Sequence, residues 1–168
     1  ADMLACLPRA EELGYSSAFQ ASHHVQKDGF CPSPLIAMAG AAAVTEEMRI
    51  GTSVLLVSLY APLKLAEDVA TIDNLSNGRF IFGVAPGYVS GEFTAHNIPR
   101  KERVGRFEEA LDLMTVAWTG EPFDFDGKYL TKDIDTSYLD NIETLRSDKA
   151  KQNNITNENS ELIYNEVD

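Results

Sequence analysis

His23 and His24 stand side by side after the run YSSAFQAS, and they are the residues of this sequence best suited to moving protons. An imidazole has an unperturbed pKa near 6.5, so general acid–base work is the chemistry they offer. Adjacent histidines at a strand end also serve as plain loop residues. No third His, Cys or carboxylate stands at a spacing that would make the pair metal ligands. A second group is Thr52 and Ser53, which follow Gly51 in an apolar run. A third is Gly83, Ala85 and Gly87 around the end of another run, where a bare backbone could approach a planar ring or a phosphate closely. Their plain alternatives are ordinary strand hydroxyls and turn chemistry. Cys31 reads as a loop thiol, His96 as a residue of a connection, and Arg103 and Arg106 as a solvated helix face with Glu102 and Glu109 as partners.

One unit positions these groups. From Arg49 to Gly87 the chain reads as strand, helix and strand. Arg49 to Val57 is nearly all apolar or β-branched, as a strand buried on both faces of a parallel sheet requires. Pro62 stands where a helix starts without losing a needed N–H. Leu65, Val69, Ile72 and Leu75 then recur at helical spacing, and Asn77 and Gly78 end the helix. The second strand, Arg79 to Val84, runs into the tight turn Ala85, Pro86, Gly87. A parallel crossover brings the carboxyl ends of both strands to one edge of the sheet, where ligands of such folds bind.

Upstream, Ala1 to Leu13 reads as a helix stopped by Gly14, with Pro8 either starting or kinking it. Tyr15 to Ala21 reads as the strand that leads to the histidines, and Gln26 to Pro34 as loop. Ser33 is placed to cap an Ala-rich helix that begins at Pro34 and continues to about Glu47. Downstream, Tyr88 to Ile98 reads as a connection. Pro99 to Trp118 reads as a helix with the stripe Val104, Phe107, Leu111, Met114, Trp118. The alternation predicts an α/β protein with a parallel sheet, and periodicity alone leaves an open sheet and part of a barrel equally open. Residues 131–168 contain no Gly, Pro, Phe, Trp or Cys. A helix at Ser137 to Lys151 would put Tyr138, Ile142 and Leu145 on one face. The expected organisation is therefore a domain over 1–130 and a weakly ordered tail over 131–168.

The 168 residues are 44% hydrophobic, enough for one domain with a core, but short of the roughly 250 of a complete (β/α)8 barrel. A formal net charge of −12 argues against a nucleic-acid partner, which requires clustered Lys and Arg. Cys6 and Cys31 form no disulfide framework, which suits a cytoplasmic protein, and no apolar run has the length of a membrane span. The chain opens inside helix-like sequence, so a piece upstream of Ala1 is expected.

The segments AEELGYSSAFQASHH, RIGTSVLLVSLYAPLKLAEDVATIDNLSNGRFIFGVAPGY and ER..RFEEALDLM..AWTGEPFDFDGKY resemble the bacterial-luciferase-like, flavin-dependent monooxygenases over about residues 9–130. The resemblance implies a partial TIM barrel made of that family's second, third and fourth strands, with strands five to eight without counterpart. It implies reduced FMN as cofactor, a separate flavin reductase that supplies it, and dioxygen and an aldehyde or other small organic molecule as substrates. It places His23 at the first histidine of the family's Glu-His-His motif, as the acid–base residue, with His24 beside it at the substrate or in a supporting place. Ser22 stands where the motif has its acid. Thr52 and Ser53 fall at a bulge against the flavin ring, with Ala85 and Gly87 lining the same ring. Pro86 stands where some relatives carry a phosphate-binding Arg. Two further readings remain: a deazaflavin coenzyme with hydride transfer, and an inert partial barrel that at most binds flavin or pairs with another subunit as a homo- or hetero-oligomer.

Overall fold

The computed structural model describes residues 2–28, 30–121 and 123–130. The tail over 131–168, with its expected helix at Ser137 to Lys151, lies outside the described residues. Helix α1 (Asp2–Glu12) leads to strand β1 (Ser17–Gln20), helix α2 (Pro34–Val44) to strand β2 (Arg49–Leu56), and helix α3 (Pro62–Leu75) to strand β3 (Phe80–Ala85). A short helix α4 (Ser90–Ala95) and a 3-10 turn (Arg100–Glu102) then precede helix α5 (Arg103–Ala117). The three strands form one parallel sheet in the order β1-β2-β3.

Local chemistry explains where these elements stop. Gly14 (φ +87°) closes α1 with the N–H of Tyr15 donating to Ala10 O, so β1 begins at Ser17 rather than at Tyr15. Asn77 (φ +55°) and Gly78 (φ +78°) close α3 in the same way, the Gly78 N–H reaching Asp73 O. Helix α1 runs through Pro8 instead of starting there. Ser33 precedes α2, but its side chain makes no capping bond.

Register divides the sheet into two faces. Ala18, Ile50 and Phe80 are partners across the strands, as are Phe19, Gly51 and Ile81 one residue on. The first set belongs to the core with Met38, Ala41, Leu65, Val69, Ala110 and Met114. Helix α2 packs on β1 and β2, α3 on β3, and α3 lies between α2 and α5. On the second face Phe19 is 45% exposed, and its ring lies over Gly51, where a Cβ would come within 2.7 Å of it.

The α3 stripe holds except at its last residue, whereas that of α5 is shifted. In α3, Leu65, Ala66, Val69 and Ile72 are buried while Leu75 is exposed. In α5 the buried face is Phe107, Ala110, Leu113, Met114 and Ala117, and Val104 is exposed. Leu111 and Trp118 are half-buried against the core, and the Trp118 indole N–H donates to Ala66 O of α3 at 3.1 Å. Arg106 pairs with Glu102 at 3.1 Å, whereas Glu109 accepts the backbone N–H groups of Lys128, Tyr129 and Leu130.

The amino-terminal edge of the sheet is held by two charged residues. Arg79 donates to Ala42 O, Thr45 O, Met48 O and Ser76 O. The Glu11 carboxylate accepts the N–H groups of Glu46, Glu47 and Met48, which hold it below the usual carboxylate range. Both sets of bonds are structural and leave the opposite edge for chemistry.

Candidate functional site

Because the strands are parallel, Gln20, Leu56 and Ala85 end on one edge of the sheet. His23, His24 and Cys31 lie in the loop after β1 and Gly87 in the loop after β3, whereas Thr52 and Ser53 lie within β2 and Gly83 and Ala85 within β3. The histidine turn is held from three sides. Ser22 Oγ donates to Val54 O at 3.2 Å, the His23 N–H donates to Cys31 O at 3.3 Å, and the His24 N–H donates to Glu92 Oε1 at 3.0 Å.

The two imidazoles occupy different environments. His23 is exposed, its Nδ1 lies 2.7 Å from Asp28 Oδ2, and its ring is 5.1 Å from that of Phe30. Asp28 also accepts the Phe30 N–H, and these bonds hold its carboxyl below the usual range. His24 is 6% exposed, with its ring edge-on to Tyr60 and His96 at centroid distances of 6.2 and 5.5 Å. Its Nε2 is buried without a hydrogen-bond partner among the described residues. Burial pushes its pKa down, the Glu92 charge opposes that shift, and the neighbouring His96 and His23 add to it. Burial likewise raises the Tyr60 phenol, with Cys31 and Asp68 adding to the effect.

The next feature is a bulge in β2. Thr52 pairs with Phe82 and Leu55 with Val84, so three steps along β2 match two along β3. Ser53 and Val54 are the residues left out of the ladder; the peptide bond between them is cis, and Ser53 is exposed. Thr52 is 1% exposed, and its hydroxyl donates to Gly83 O at 2.7 Å. A Cβ on Gly83 would overlap the carbonyl oxygen of Thr52, so only glycine permits this approach. Gly87 takes φ +79°, with the Phe93 ring 3.2 Å from where its Cβ would stand. Beside the bulge the end of β3, with Gly83, Ala85 and Gly87, forms a close-packed shelf: the Thr52 carbonyl fills the space over Gly83, Phe93 and Leu56 fill that over Gly87, and Ala85 is half-buried.

Residues 1–142 match the family model described as luciferase-like monooxygenase. The chain belongs to the luciferase-like monooxygenase family. It is 39% identical over 128 residues to an F420-dependent glucose-6-phosphate dehydrogenase of Nocardia farcinica, a match that covers 71% of this chain and 38% of that protein. Among solved structures, the monooxygenase RslO1 of Streptomyces bottropensis matches with a TM-score of 0.71 and 32% identity, over 74% of this chain and 38% of that one. The FMN complex of the oxygenating constituent of 3,6-diketocamphane monooxygenase from Pseudomonas putida matches with a TM-score of 0.71 at 23% identity, over 81% of this chain and 39% of that one, and shows the fold alone. The chain thus spans well under half the length of these relatives and is a partial barrel of the luciferase-like class.

Of the residues expected at the site of this luciferase-like chain, Ser53, Ala85 and Gly87 lie along the bulge and shelf, and His23 stands in the turn tied to that bulge. Thr52 lies there too, but its hydroxyl is engaged by β3. His24 lies behind the turn, buried. One correction concerns the connection from Tyr88 to Ile98: it contains helix α4, and His96, in the turn that follows, sets its ring against His24. Asp28, Tyr60 and Glu92 are site neighbours that no spacing pattern in the sequence reveals, since Glu92 meets His24 across sixty-eight residues. Among the described residues no group of three or more His, Cys, Asp or Glu is arranged to hold a metal ion, and no helix is long and apolar enough to cross a membrane.

Proposed function

We propose that this chain forms the ring-binding side of a luciferase-like, reduced-flavin monooxygenase, with His23 as acid–base residue, Ser53 and Ala85 facing the isoalloxazine ring, and the buried Thr52 and Gly87 shaping the bulge and turn beneath it. The observation that carries this reading is the hydrogen bond from Ser22 to Val54, because it makes the histidine turn and the bulge parts of one rigid edge. Two features favour a planar ring: Ser53 is exposed at the bulge, and the half-buried Ala85 at the end of β3 carries only a methyl group. Pro86 offers no charge to a phosphate, so the shelf addresses the ring end of the cofactor. When bound, reduced FMN supplies the electrons with which dioxygen oxidises an aldehyde or another small organic substrate.

The chain's own part is narrower. Asp28 engages Nδ1 of His23 and leaves Nε2 as the nitrogen that exchanges a proton with the substrate. His24 supports the turn from behind, and the Thr52 hydroxyl holds β2 against β3 where the bulge leaves the ladder. A flavin reductase is the partner that would deliver reduced FMN, and the reading fits a cytoplasmic protein.

A second reading rests on the similarity to the F420-dependent dehydrogenase of Nocardia farcinica. On that reading a deazaflavin would take the place of FMN beside the bulge, the reaction would be a hydride transfer, and His23 would again handle the proton. The test supplies the chain with a reductase, FMN, dioxygen and a panel of aldehydes, and in parallel with reduced or oxidised deazaflavin under anaerobic conditions. Oxygen-dependent oxidation that falls about 10²–10⁴-fold in His23→Ala supports the first reading. Turnover only with the deazaflavin transfers the proposal to the second, and no turnover with either leaves an inert fragment.

A further inference from the structure

Helix α4 has six residues, SGEFTA, and its own propensity does not explain why it forms. Two of the six are nevertheless sealed from water, Phe93 at 1% and Glu92 at 4% exposure. A carboxylate at that depth requires strong donors, because an unpaired charge there is costly. The donor facing Glu92 Oε1 is the backbone N–H of His24 at 3.0 Å. One residue on, the Phe93 ring lies under Gly87, 3.2 Å from where a Cβ would stand. At the end of the helix His96, whose N–H donates to Glu92 O, places its ring edge-on to His24. One turn of helix therefore touches the histidine turn through Glu92 and His96, and the shelf through Phe93.

We infer that Glu92 is a positioning residue: its buried carboxylate clips the His23–His24 turn to α4 and so fixes where His23 stands relative to the shelf. The bond from Ser22 to Val54 holds the same turn from the β2 side. The two bonds tie the turn to β2 and to α4 on either side of His23. The functional consequence rests on the reading that turn and shelf form one site, whereas the clip itself does not.

Amide hydrogen exchange on the 168-residue chain separates the two. In Glu92→Ala the His24 N–H loses its acceptor, and its exchange should speed up about tenfold or more while the amides of Ile50 and Leu55 in the core keep their rates. Glu92→Gln keeps an oxygen acceptor and should restore protection at His24. It also removes the charge that favours the His24 imidazolium, so the His24 ring should titrate at lower pH in Glu92→Gln than in the unmodified chain, a change that a space-filling role would not produce. Unchanged His24 exchange in Glu92→Ala, or equal loss of protection at Ile50 and Leu55, overturns the clip. Reduced-FMN affinity measured on the same samples should weaken in Glu92→Ala and recover in Glu92→Gln. Absence of FMN binding by the unmodified chain counts against the proposed function and leaves the exchange result standing.

Discussion

The hydroxyl of Ser22 donates to the carbonyl oxygen of Val54, 3.2 Å away and thirty-two residues later in the chain. Val54 is one of the two bulge residues outside the β2–β3 ladder, so its carbonyl is open to a side-chain donor. An ionised acid in place of Ser22 would have no proton to give this carbonyl. In Ser22→Ala the bond is lost at a cost of about 0.5–1.5 kcal/mol in urea unfolding. Affinity for a ring ligand should fall as well, while Ser22→Thr, which keeps the donor, should retain both.

The approach of β2 to β3 depends on Thr52 and Gly83. Thr52→Val leaves the Gly83 carbonyl without its buried donor and should cost about 1–3 kcal/mol. Gly83→Ala drives a methyl group into the Thr52 backbone carbonyl, which cannot yield as a flexible side chain would, and should cost about 3 kcal/mol or more. Equilibrium unfolding of the two variants checks the order. A harmless Gly83→Ala would mean that the strands are not this close.

Buried His24 gives the fold a pH dependence of known sign. Its pKa is lower in the folded chain than the ordinary imidazole value of about 6.5, chiefly through burial, so the folded state resists protonation. Its contribution is fully present above that ordinary value and is lost as pH falls through the folded value. Unfolding midpoints measured from pH 8 to pH 5 (about the span over which imidazoles titrate) should drop on the acid side. His24→Gln, which cannot take the charge, should flatten that part of the profile; an identical profile in the variant would exclude His24 as its source.

Much of the fold is legible because its signals are local. Pro62 starts α3, Asn77 and Gly78 end it through positive φ, and the apolar run from Arg49 becomes the central strand, all within a few residues of the feature that dictates them. The rotated face of α5 is less legible. Leu111 and Trp118 are larger than Ala110 and Ala117, yet the alanines are fully buried while Leu111 and Trp118 are half-buried against the core. Helix α4 is hidden because six residues with one large apolar side chain carry no period.

The site divides in the same way. His23 and the turn glycines are visible as residue types, and the bulge follows from the resemblance because its cause is a register shift between two strands and not a pattern within one. Glu92, Tyr60 and His96 escape notice because each meets His24 only after folding, from other loops. An acid in a loop looks like any other until its burial is known.

The central claim is that a flavin ring lies on the shelf beside His23, and amide shift mapping tests it most directly. The 15N-labelled chain would be titrated anaerobically with reduced FMN, and in parallel with a reduced deazaflavin. The account predicts saturable shifts concentrated at His23, Ser53, Ala85 and Gly87, with the amides around Glu11 and Arg79 at the opposite edge unmoved. Saturation without shifts at the first four positions, or no saturation by either ligand, would contradict it.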